Sequence, residues 1–526
     1  CDNQNISEAI SELSDVSPSP DEQSAYFDES RANESRLQQS IIEESLADES
    51  RITESIVNES LTAESIINES IVNESLLQES IVNESVYNES VLNESILNES
   101  IAEESRKDES RRDEVSREKA ESRAEESRYN ESVANDLAPV KIKTVFVTTT
   151  DKINKDEYVA ARILITDPSG KFEKILDTEA TIKVRGNSTS AAGKAPYNFK
   201  LTKKTSVYGM GESKKWCLLS NPYDKTLMRN KLSYDFARAI GIEYTSNCEY
   251  VDLYVNGTYV GNYLLAESIG VGEDRVDLDI ENNDFLFEFE PWIGYSNVDA
   301  YRTPRYGVLL GYNDRDYPTE ENIAYLNTFF TAFEEALHMR DYDDVAQYID
   351  VDSFVNFYIV NELFKNVDFG TSSTRYYIKD GKLYAGPVWD LDLSAGNCSA
   401  EYYTGYNNVT SSGDSTEKLY CYAQWYGRLL EIPKFKQKVY ARYLELQPQI
   451  VNLTTDNALG KNRIDRLLSR YSESFYDNYE RTWQRIDEAY STLERIPDST
   501  YTQNVEYMRQ WLIKRNAWLL KTWGLS

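Results

Sequence analysis

Residues 361–397 read NELFKNVDFGTSSTRYYIKDGKLYAGPVWDLDLSAGN and hold the densest group of candidate functional side chains in the chain. An apolar helical segment leads to a loop with Asp368, and two β-type runs follow it. The second run ends at Asp390 and Asp392, which we expect on one side of a strand because one residue separates them. Two such carboxylates repel each other unless a cation lies between them. Their oxygen ligands favour Mg²⁺ or Mn²⁺, although a solvated loop or a structural Ca²⁺ site would give the same short pattern.

The sequence upstream of this segment is typical of β-structure. Short runs separated by Asp, Pro and Gly begin at residue 141 and read KIKTVFVTT, YVAARILIT, EATIKVRG, YNFKLT and, at residues 285–290, FLFEFE. The pair Asn256-Gly257 joins two further runs and is a strong signal for a two-residue hairpin turn. Before this hairpin, a helix is expected from just after Asp224 to Gly241.

Helical periodicity dominates beyond residue 320. The periodic stretches are 320–340, 352–366, 422–448 and 461–522. With the strands, they predict an α+β fold of two lobes, a β-rich N-lobe over residues 136–290 and a mostly helical C-lobe over residues 291–526. A cleft between the two lobes is the expected binding site.

A second candidate group lies in residues 182–204, IKVRGNSTSAAGKAPYNFKLTKK. A glycine-containing turn with Arg185 and Asn187 separates two strands, and the second strand carries Lys200. Free backbone N–H groups of a turn, together with a lysine on the next strand, are the groups that bind a triphosphate. The pattern matches neither GxxxxGK[ST] nor GxGxxG, so a plain hairpin turn is the alternative.

Residues 1–135 have the composition of a low-complexity spacer. Glu-Ser recurs every five residues from Glu44 to Ser110, a period that places the intervening apolar pairs on no single side of a helix or strand. This segment holds 34 acidic and 11 basic residues, which leaves 55 acidic and 45 basic residues for the remainder of a chain whose net charge is -33. We therefore expect an extended acidic stalk, with a multi-chain helical rod as the alternative.

The supply of histidine and cysteine excludes several kinds of site. His338, the only histidine, lies in the helical stretch Glu334–Arg340, whereas Ser-His-Asp triads, Cys-His dyads and His-rich zinc sites all need histidines placed among partners in a pocket; these mechanisms are therefore excluded. The chain has no basic surface pattern of the kind that binds nucleic acid. Four cysteines without CxxC spacing allow up to two disulfides or free buried thiols; they are Cys217, Cys248, Cys398 and Cys421. Catalysis would then depend on carboxylates, Lys, Arg and a metal ion.

The sequence begins with Cys1, which the polar residues Asp2, Asn3, Gln4 and Asn5 follow. This order is typical of a mature bacterial lipoprotein, in which the first cysteine carries the lipid anchor. A boundary that falls on a cysteine by chance is the alternative. No apolar run reaches the length of about 18 residues that a spanning helix needs. We expect an extracellular protein, attached to the bacterial membrane through a lipid on Cys1 and exposed at the cell surface.

Taken in order, the motifs resemble the CotH kinase family, which is known from spore-coat proteins and related surface proteins. The resemblance covers roughly residues 140–450 and rests on RGNST, YNFKL, LMRNKLSYDFARAIG, YVDLYVNGTYVGNYLLAES, the Asp368 loop, PVWDLD and WYGRLLEIPKFKQKVYARY. It implies an atypical protein kinase-like fold, ATP and Mg²⁺ as cofactors, and phosphate transfer to exposed serines of a protein substrate. By the same resemblance, Asp368 is the catalytic aspartate, Asp390 and Asp392 bind the metal, and Lys200 contacts phosphate. Trp389 would pack against the nucleotide unless it is a core residue.

Two positions depart from the pattern of ordinary kinases. The position five residues after the catalytic aspartate, where those enzymes have a metal-binding Asn, is Ser373. The helix predicted over residues 225–240 has no Glu to pair with Lys200, and Glu267 or Glu288 could serve instead. Two other functions remain open on sequence grounds. One is a catalytically inactive kinase-like adhesin or scaffold displayed on a stalk, and the other is a nucleotide-binding enzyme that transfers AMP or another group.

An isolated fragment of residues 1–135 is expected to be cut readily by protease and to give a mostly coil-like circular dichroism spectrum. The reason is that a five-residue period offers no continuous apolar face around which the segment could fold. Circular dichroism over a temperature ramp measures this, and a cooperative helix melting transition would favour the rod.

Overall fold

The structure is a computed structural model that describes residues 142–168, 176–289, 300–313, 318–398, 413–482 and 485–525. The expectations for the spacer over residues 1–135 and for a lipid on Cys1 lie outside the described residues. Within them, seven strands form a closed barrel, and five further strands form a second sheet among helices. The α+β class predicted from the sequence is therefore confirmed.

The segment 159–166 alternates between buried and more exposed side chains, as a half-buried strand does, and it is one of the seven barrel strands. These seven strands are β1 (Lys143–Thr148), β2 (Val159–Thr166), β3 (Leu176–Val184), β4 (Tyr197–Thr205), β5 (Ser213–Leu219), β6 (Cys248–Val255) and β7 (Thr258–Glu267). The strand order is β1-β2-β3-β4-β5-β7-β6, and parallel pairing of β1 with β6 closes the barrel. Its interior is filled by apolar side chains that include Ile163, Ile182, Phe199 and Trp216.

Two features of the barrel bear on the sequence predictions. Asn256 and Gly257 both have positive φ, 48° and 79°, and join β6 to β7 in a two-residue turn, so the predicted hairpin is confirmed. Strand β5 was not predicted, because SKKWCLL begins with a polar run and continues with four buried residues instead of alternating. The strand pairs with β4 on one side and β7 on the other, so its place is fixed by tertiary contacts.

The second sheet has the strand order β12-β11-β8-β10-β9. Its members are β8 (Phe285–Phe289), β9 (Ala300–Arg302), β10 (Leu309–Tyr312), β11 (Arg375–Lys379) and β12 (Lys382–Ala385). Strand β8 pairs antiparallel with β11, although 85 or more residues separate the two along the chain. The segment that ends at residue 289 is therefore hydrogen-bonded to the β-hairpin within residues 361–397.

Nine α-helices lie within the described residues. They are α1 (Arg229–Ala239), α2 (Glu320–Met339), α3 (Tyr342–Tyr348), α4 (Val351–Phe364), α5 (Tyr426–Leu429), α6 (Pro433–Glu445), α7 (Gln447–Asn452), α8 (Arg463–Glu480) and α9 (Tyr501–Thr522). Helix α4 is buried on all sides from Phe354 onward, so it is the central helix. The single helical stretch predicted over residues 461–522 is wrong, because the chain leaves the helix after Glu480 and starts a new one at Tyr501, where Thr500 caps it.

The four described cysteines are buried free thiols, so the structure has the second of the two arrangements that the sequence allowed. His338 lies exposed in the last turn of α2. Among the helices of the described residues, none combines the length and apolar character needed to span a bilayer.

A buried ion pair connects α9 to α4. The side chains of Arg515 and Glu362 are both fully buried, and the Arg515 guanidinium donates to the Glu362 carboxylate. It also donates to the carbonyl oxygens of Thr416 and Lys418, at 3.0 and 2.8 Å. Because the Glu362 carboxylate also accepts the backbone N–H of Cys421 at 2.8 Å, this pair fixes the segment between α4 and α5.

Replacing Arg515 by Met is expected to lower the free energy of unfolding by about 3 kcal/mol or more, because Glu362 would keep a buried charge without its partner. The matched control is Lys514→Met, which changes an exposed cation on the same helix and should alter stability by less than about 0.5 kcal/mol. Urea unfolding followed by circular dichroism measures both variants. Equal stability of the two variants would contradict the structural role of the pair.

Candidate functional site

Asp390 and Asp392 lie in a loop, not at the end of a strand. Strand β12 ends at Ala385, and Pro387 has no N–H with which to continue the ladder. The expectation of a strand end is therefore wrong, and the rule of alternating sides does not apply to the two aspartates. Asp390 has a φ of 62°, a left-handed conformation that Asp and Asn adopt more readily than most residues. We call residues 389–395 the aspartate loop.

Helix α1 holds the aspartate loop by hydrogen bonds to its backbone. The N–H of Leu391 donates to Asn230 Oδ1 at 2.8 Å, and the N–H of Asp390 donates to the Tyr234 hydroxyl at 3.0 Å. Farther along, Arg229 Nε donates to the Ser394 carbonyl at 2.9 Å. Three successive contacts with one rigid helix place the two aspartates, although neither belongs to a helix or strand.

The Asp392 side chain is buried and lies within a cluster of carboxylates. Burial raises its pKa well above the usual value, and the negative charges of Asp390, Asp368 and Asp224 raise it further. Asp224 is neutralised by Arg229 at 2.6 Å. The structure therefore brings together all three of the aspartates that the sequence singled out, and adds Asp224.

Asp368 occupies a one-turn 3₁₀ helix, Val367–Gly370, that follows α4. Asn366 caps this turn by accepting the Asp368 backbone N–H at 3.1 Å. The Asp368 side chain is half-buried, whereas its neighbours Val367 and Phe369 are fully buried. A carboxylate that is fixed by a short helix but reaches the surface can meet an incoming group from solvent.

Ser373, which stands where ordinary kinases have a metal-binding Asn, contacts the aspartate loop. Its hydroxyl donates to Asp390 Oδ2 at 3.0 Å. Ser373 has a φ of 57°, and its own carbonyl accepts a hydrogen bond from Arg375 at 3.2 Å. The residue thus orients Asp390 from beside it, a contact that the sequence did not predict.

The carboxylates suit a hard divalent ion. Neither Asp390 nor Asp392 forms an ion pair with any Lys or Arg of the described residues, so their charge is open to a cation. In the part of the chain that the structure describes, no group of three or more His, Cys, Asp and Glu side chains is arranged to bind one ion. Mg²⁺ commonly takes one or two protein carboxylates and fills its other positions with water and phosphate oxygens. The pair fits a site of that kind.

A cationic cleft of about 260 Å³ lies next to the aspartate loop. Its charged lining consists of Arg185, Lys200, Lys215 and Arg375, and Trp389 forms part of its wall. Lys200 and Lys215 stand opposite each other on β4 and β5. Burial lowers the pKa of Lys200, and the nearby charges of Lys215 and Lys183 lower it further. Crowded positive charges of this kind are relieved when an anion binds.

Neither Glu267 nor Glu288, the two carboxylates suggested as partners of Lys200, pairs with it. Glu267 pairs with Arg275 at 3.1 Å, and Glu288 pairs with Arg375 at 2.9 Å. Across the described ranges, no carboxylate lies within 4 Å of the Lys200 ammonium, which instead stands 4.1 Å from the centre of the Tyr158 ring. Its charge is consequently available to a ligand.

Trp389 is both a core residue and a wall of the cleft. Its ring is only 5% exposed and stacks on Tyr234 with a centroid distance of 5.7 Å. The guanidinium groups of Arg185 and Arg375 lie 5.3 and 5.8 Å from the ring centre. Trp389 therefore connects the cleft with the aspartate loop, since Asp390 follows it directly in the chain.

The turn after β3 lies beside both the cationic cleft and the aspartates. Gly186 has a φ of 86°, and a Cβ there would stand 2.1 Å from Thr189 Oγ1, so the turn requires glycine. Arg185 lines the cleft, whereas Asn187 is exposed and begins a 3₁₀ turn. On its other side, the turn contacts Tyr223. Burial raises the pKa of Tyr223, a hydrogen bond from Ser188 of the turn lowers it, and the charge of Asp392 raises it, so Tyr223 lies near both Ser188 and Asp392. The turn thus lies near the aspartates as well as the cleft.

Several residues of this site were not singled out from the sequence. They are Asp224, Asn230, Tyr234, Lys215 and Arg375. Three of them fall in or before the predicted helix, and the sequence does not show which polar side chains there are buried, as Asn230 is. Lys215 lies on β5, which was not predicted, so no register could place it opposite Lys200.

Comparison with known proteins gives two findings. The family model described as "CotH kinase protein" matches residues 182–519. The chain is also 25% identical over 265 residues to "Inner spore coat protein H" of Bacillus subtilis (strain 168), an alignment that covers 46% of this chain and 69% of that protein. The family match includes the aspartate loop, all nine described helices up to residue 519, and every residue that lines the cleft except Tyr158.

Replacing Asp390 by Asn is expected to raise the free energy of unfolding of the metal-free protein by about 1 kcal/mol. The substitution removes a charge next to the buried Asp392, while Asn keeps the acceptor for Ser373 and tolerates the left-handed backbone. Thermal unfolding in the presence of a chelator measures this effect. Asp380→Asn is the matched control, because Asp380 also has positive φ but is exposed in the β11–β12 turn and should show no change.

Proposed function

The chain belongs to the CotH kinase protein family, and on that premise we propose that it is an atypical protein kinase that transfers phosphate from ATP to serines of a protein substrate. The observation that carries the proposal is that the cationic cleft lies directly beside the aspartate loop. Trp389 lines the cleft and is also the first residue of that loop, whose Asp390 and Asp392 lie near Asp368. Phosphoryl transfer needs this pairing, since cations bind the triphosphate while carboxylates hold metal ions and accept a proton.

In this proposal the cleft binds the triphosphate. Lys200 and Lys215 oppose the phosphate charge from two strands, and Arg185 offers a planar guanidinium for a bidentate contact. The backbone of the turn at Asn187 lies at the edge of the same region and has N–H groups to offer. Trp389 closes one side of the cleft, where Arg185 and Arg375 lie against its ring.

Asp390 and Asp392 would hold Mg²⁺, or Mn²⁺ in its place. When bound, such an ion neutralises phosphate oxygens and the charge that develops on them in the transition state. The protein's own contribution is to fix both carboxylates through α1 and to orient Asp390 through Ser373. Without the hydrogen bonds from α1 and Ser373, the aspartate loop would become ordered only when the ligand binds, and binding would carry that entropy cost.

Asp368 would act on the incoming serine. Its carboxylate accepts the hydroxyl proton while the serine oxygen forms a bond to the γ-phosphorus, and the bond from that phosphorus to the β,γ-bridging oxygen of ATP breaks. The half-buried position of Asp368 beside the aspartate cluster is suited to this role. A covalent enzyme intermediate is not needed.

We extend the proposal to the arrangement and location of the chain. The barrel would be the N-lobe and the helical part the C-lobe of a kinase-like layout, with residues 1–135 as a spacer and Cys1 as a lipid anchor at the bacterial cell surface. The matched Bacillus protein is named for the inner spore coat, which supports a surface-associated role. A mass spectrum of the membrane fraction that finds Cys1 unmodified would remove the lipid anchor.

The central test uses three variants that should fail in different ways. Asp390→Ala should abolish Mg²⁺-dependent ATP binding, because the metal loses a hard anionic ligand. Asp368→Ala should leave ATP affinity nearly unchanged and lower turnover by about a hundredfold or more. Lys200→Ala should weaken both. Calorimetry measures the affinity, and the intact mass of a protein substrate measures transfer and distinguishes phosphate from AMP.

Matched controls are Lys203→Ala on the exposed side of β4 and Asp380→Ala in the β11–β12 turn, which should leave both measurements unchanged. If the wild-type protein fails to bind ATP with either Mg²⁺ or Mn²⁺, the proposed kinase function is overturned. The chain would then be better described as a kinase-like adhesin or scaffold.

A further inference from the structure

A second cavity, of about 170 Å³, lies behind α1. Helices α1, α7 and α8 line it, and Glu249 of β6 contributes to one side. The apolar part of its wall consists of Leu232, Phe236, Leu453, Leu459 and Leu467. We call it the rear cavity, because none of the residues of the cationic cleft lines it.

Three arginines of α8 line the rear cavity at positions that fall on one face of the helix. They are Arg463, Arg466 and Arg470, with spacings of three and four residues. Arg463 is exposed at the mouth, whereas Arg466 is only 8% exposed. The spacing therefore places all three arginines at the cavity, with the buried Arg466 between the exposed Arg463 and the half-buried Arg470.

Arg466 keeps a buried charge that no carboxylate neutralises. Its guanidinium donates to Asn452 Oδ1 at 2.9 Å and to the Lys461 carbonyl at 2.5 Å, both uncharged acceptors. Among the described residues, no Asp or Glu lies within 4 Å of it. Burial lowers the pKa of Arg466, the charge of Arg463 lowers it further, and the charge of Asp456 raises it by a smaller amount. A buried cation without a counter-charge is costly, and an anionic ligand would remove that cost.

The acidic residues of the cavity are already neutralised. Asp235 pairs with Lys231 at 3.0 Å and also with Arg238. Glu249 pairs with Lys143 at 2.6 Å and accepts the hydroxyl of Tyr471 at 2.7 Å. The remaining charge in the cavity is consequently that of the α8 arginines.

One polar atom at the cavity has no partner. Gln449 Oε1 is buried and accepts no hydrogen bond from any described residue. Such an acceptor is normally satisfied, and a water molecule can donate to it, whereas an anion has no proton to donate. The guanidinium groups and the apolar wall of the rear cavity define the chemistry of a ligand that would fit.

We propose that the rear cavity binds a small organic anion, a phosphate monoester or carboxylate with an apolar body, and that its occupancy is coupled to the aspartate loop through α1. Asn230 and Tyr234, which hold the aspartate loop, lie about half a turn around α1 from Leu232 and Phe236, which line the cavity. A ligand that displaces or stiffens α1 therefore acts on both sides of one helix. The coupling to nucleotide rests on the proposed function, but the binding does not.

The first test titrates phenyl phosphate into the full-length chain by calorimetry, without nucleotide or metal. Phenyl phosphate is expected to bind saturably and roughly tenfold or more tightly than inorganic phosphate, because the ring adds burial against the apolar wall. Benzoate tests the carboxylate form of the same ligand class. Absence of saturable binding by both probes would overturn the site.

Variants separate this site from the cationic cleft, which also attracts phosphate. Ala239→Phe places a ring at the exposed edge of the cavity, and Arg463→Ala combined with Arg470→Ala removes two half-buried or exposed cations; each should weaken binding by roughly tenfold or more. Lys200→Ala in the cleft and Arg428→Ala on α5 should leave it unchanged. Binding that is lost in Lys200→Ala and kept in Ala239→Phe would assign the probe to the cleft and overturn the proposal.

The coupling is tested by repeating the ATP titration with the rear cavity saturated. Affinity for ATP with Mg²⁺ should change by about fivefold or more, and the affinity for phenyl phosphate should change by the same factor when ATP is present. Identical affinities with and without the second ligand would overturn the coupling. If ATP does not bind at all while phenyl phosphate does, the proposed function fails and the rear cavity stands.

Discussion

The fully buried ion pair between Arg229 and Asp224 is the interaction on which the site depends. The two side chains are 2% and 0% exposed and lie 2.6 Å apart. Arg229 also reaches the carbonyls of Ser394 and Ala395, so one guanidinium joins the segment before α1 to the end of the aspartate loop. Burying two charges is costly unless their hydrogen-bonding groups are satisfied. Here the guanidinium N–H groups of Arg229 bond to Asp224 and to carbonyl oxygens of the aspartate loop, and these bonds hold the loop in place. The aspartates can therefore be crowded together on irregular backbone without a helix or strand of their own.

Much of the barrel could be predicted because its strands are local patterns. The turn at Asn256-Gly257 and the four runs that form β1 to β4 follow directly from alternation and turn chemistry. Closure of the barrel could not be predicted, since β1 and β6 pair in parallel across about 100 residues and neither sequence encodes its partner. The pairing of β8 could not be predicted for the same reason, because its partner β11 lies far along the chain.

The candidate site could be predicted in its residue types but not in its geometry. Asp390 and Asp392 were singled out as a pair of carboxylates, and the structure does place them in one cluster with Asp368. The reasoning from a strand end was wrong, since tertiary hydrogen bonds from α1, and not strand periodicity, set their directions. Lys200 has no carboxylate partner within the described residues because Glu267 and Glu288 are each bound to an arginine, a choice that local sequence does not reveal.

The buried free thiols of the described residues give the protein four internal reporters. Burial raises the pKa of Cys248 to about 11, so its thiol stays protonated and unreactive at neutral pH while the fold is closed. Cys217 lies in the wall of the cleft, Cys398 follows the aspartate loop, and Cys421 precedes α5. Since each thiol belongs to a different part of the chain, the rate at which a reagent modifies each one reports how often that part opens. Cysteine labelling can thus map local stability in this protein without any engineered probe.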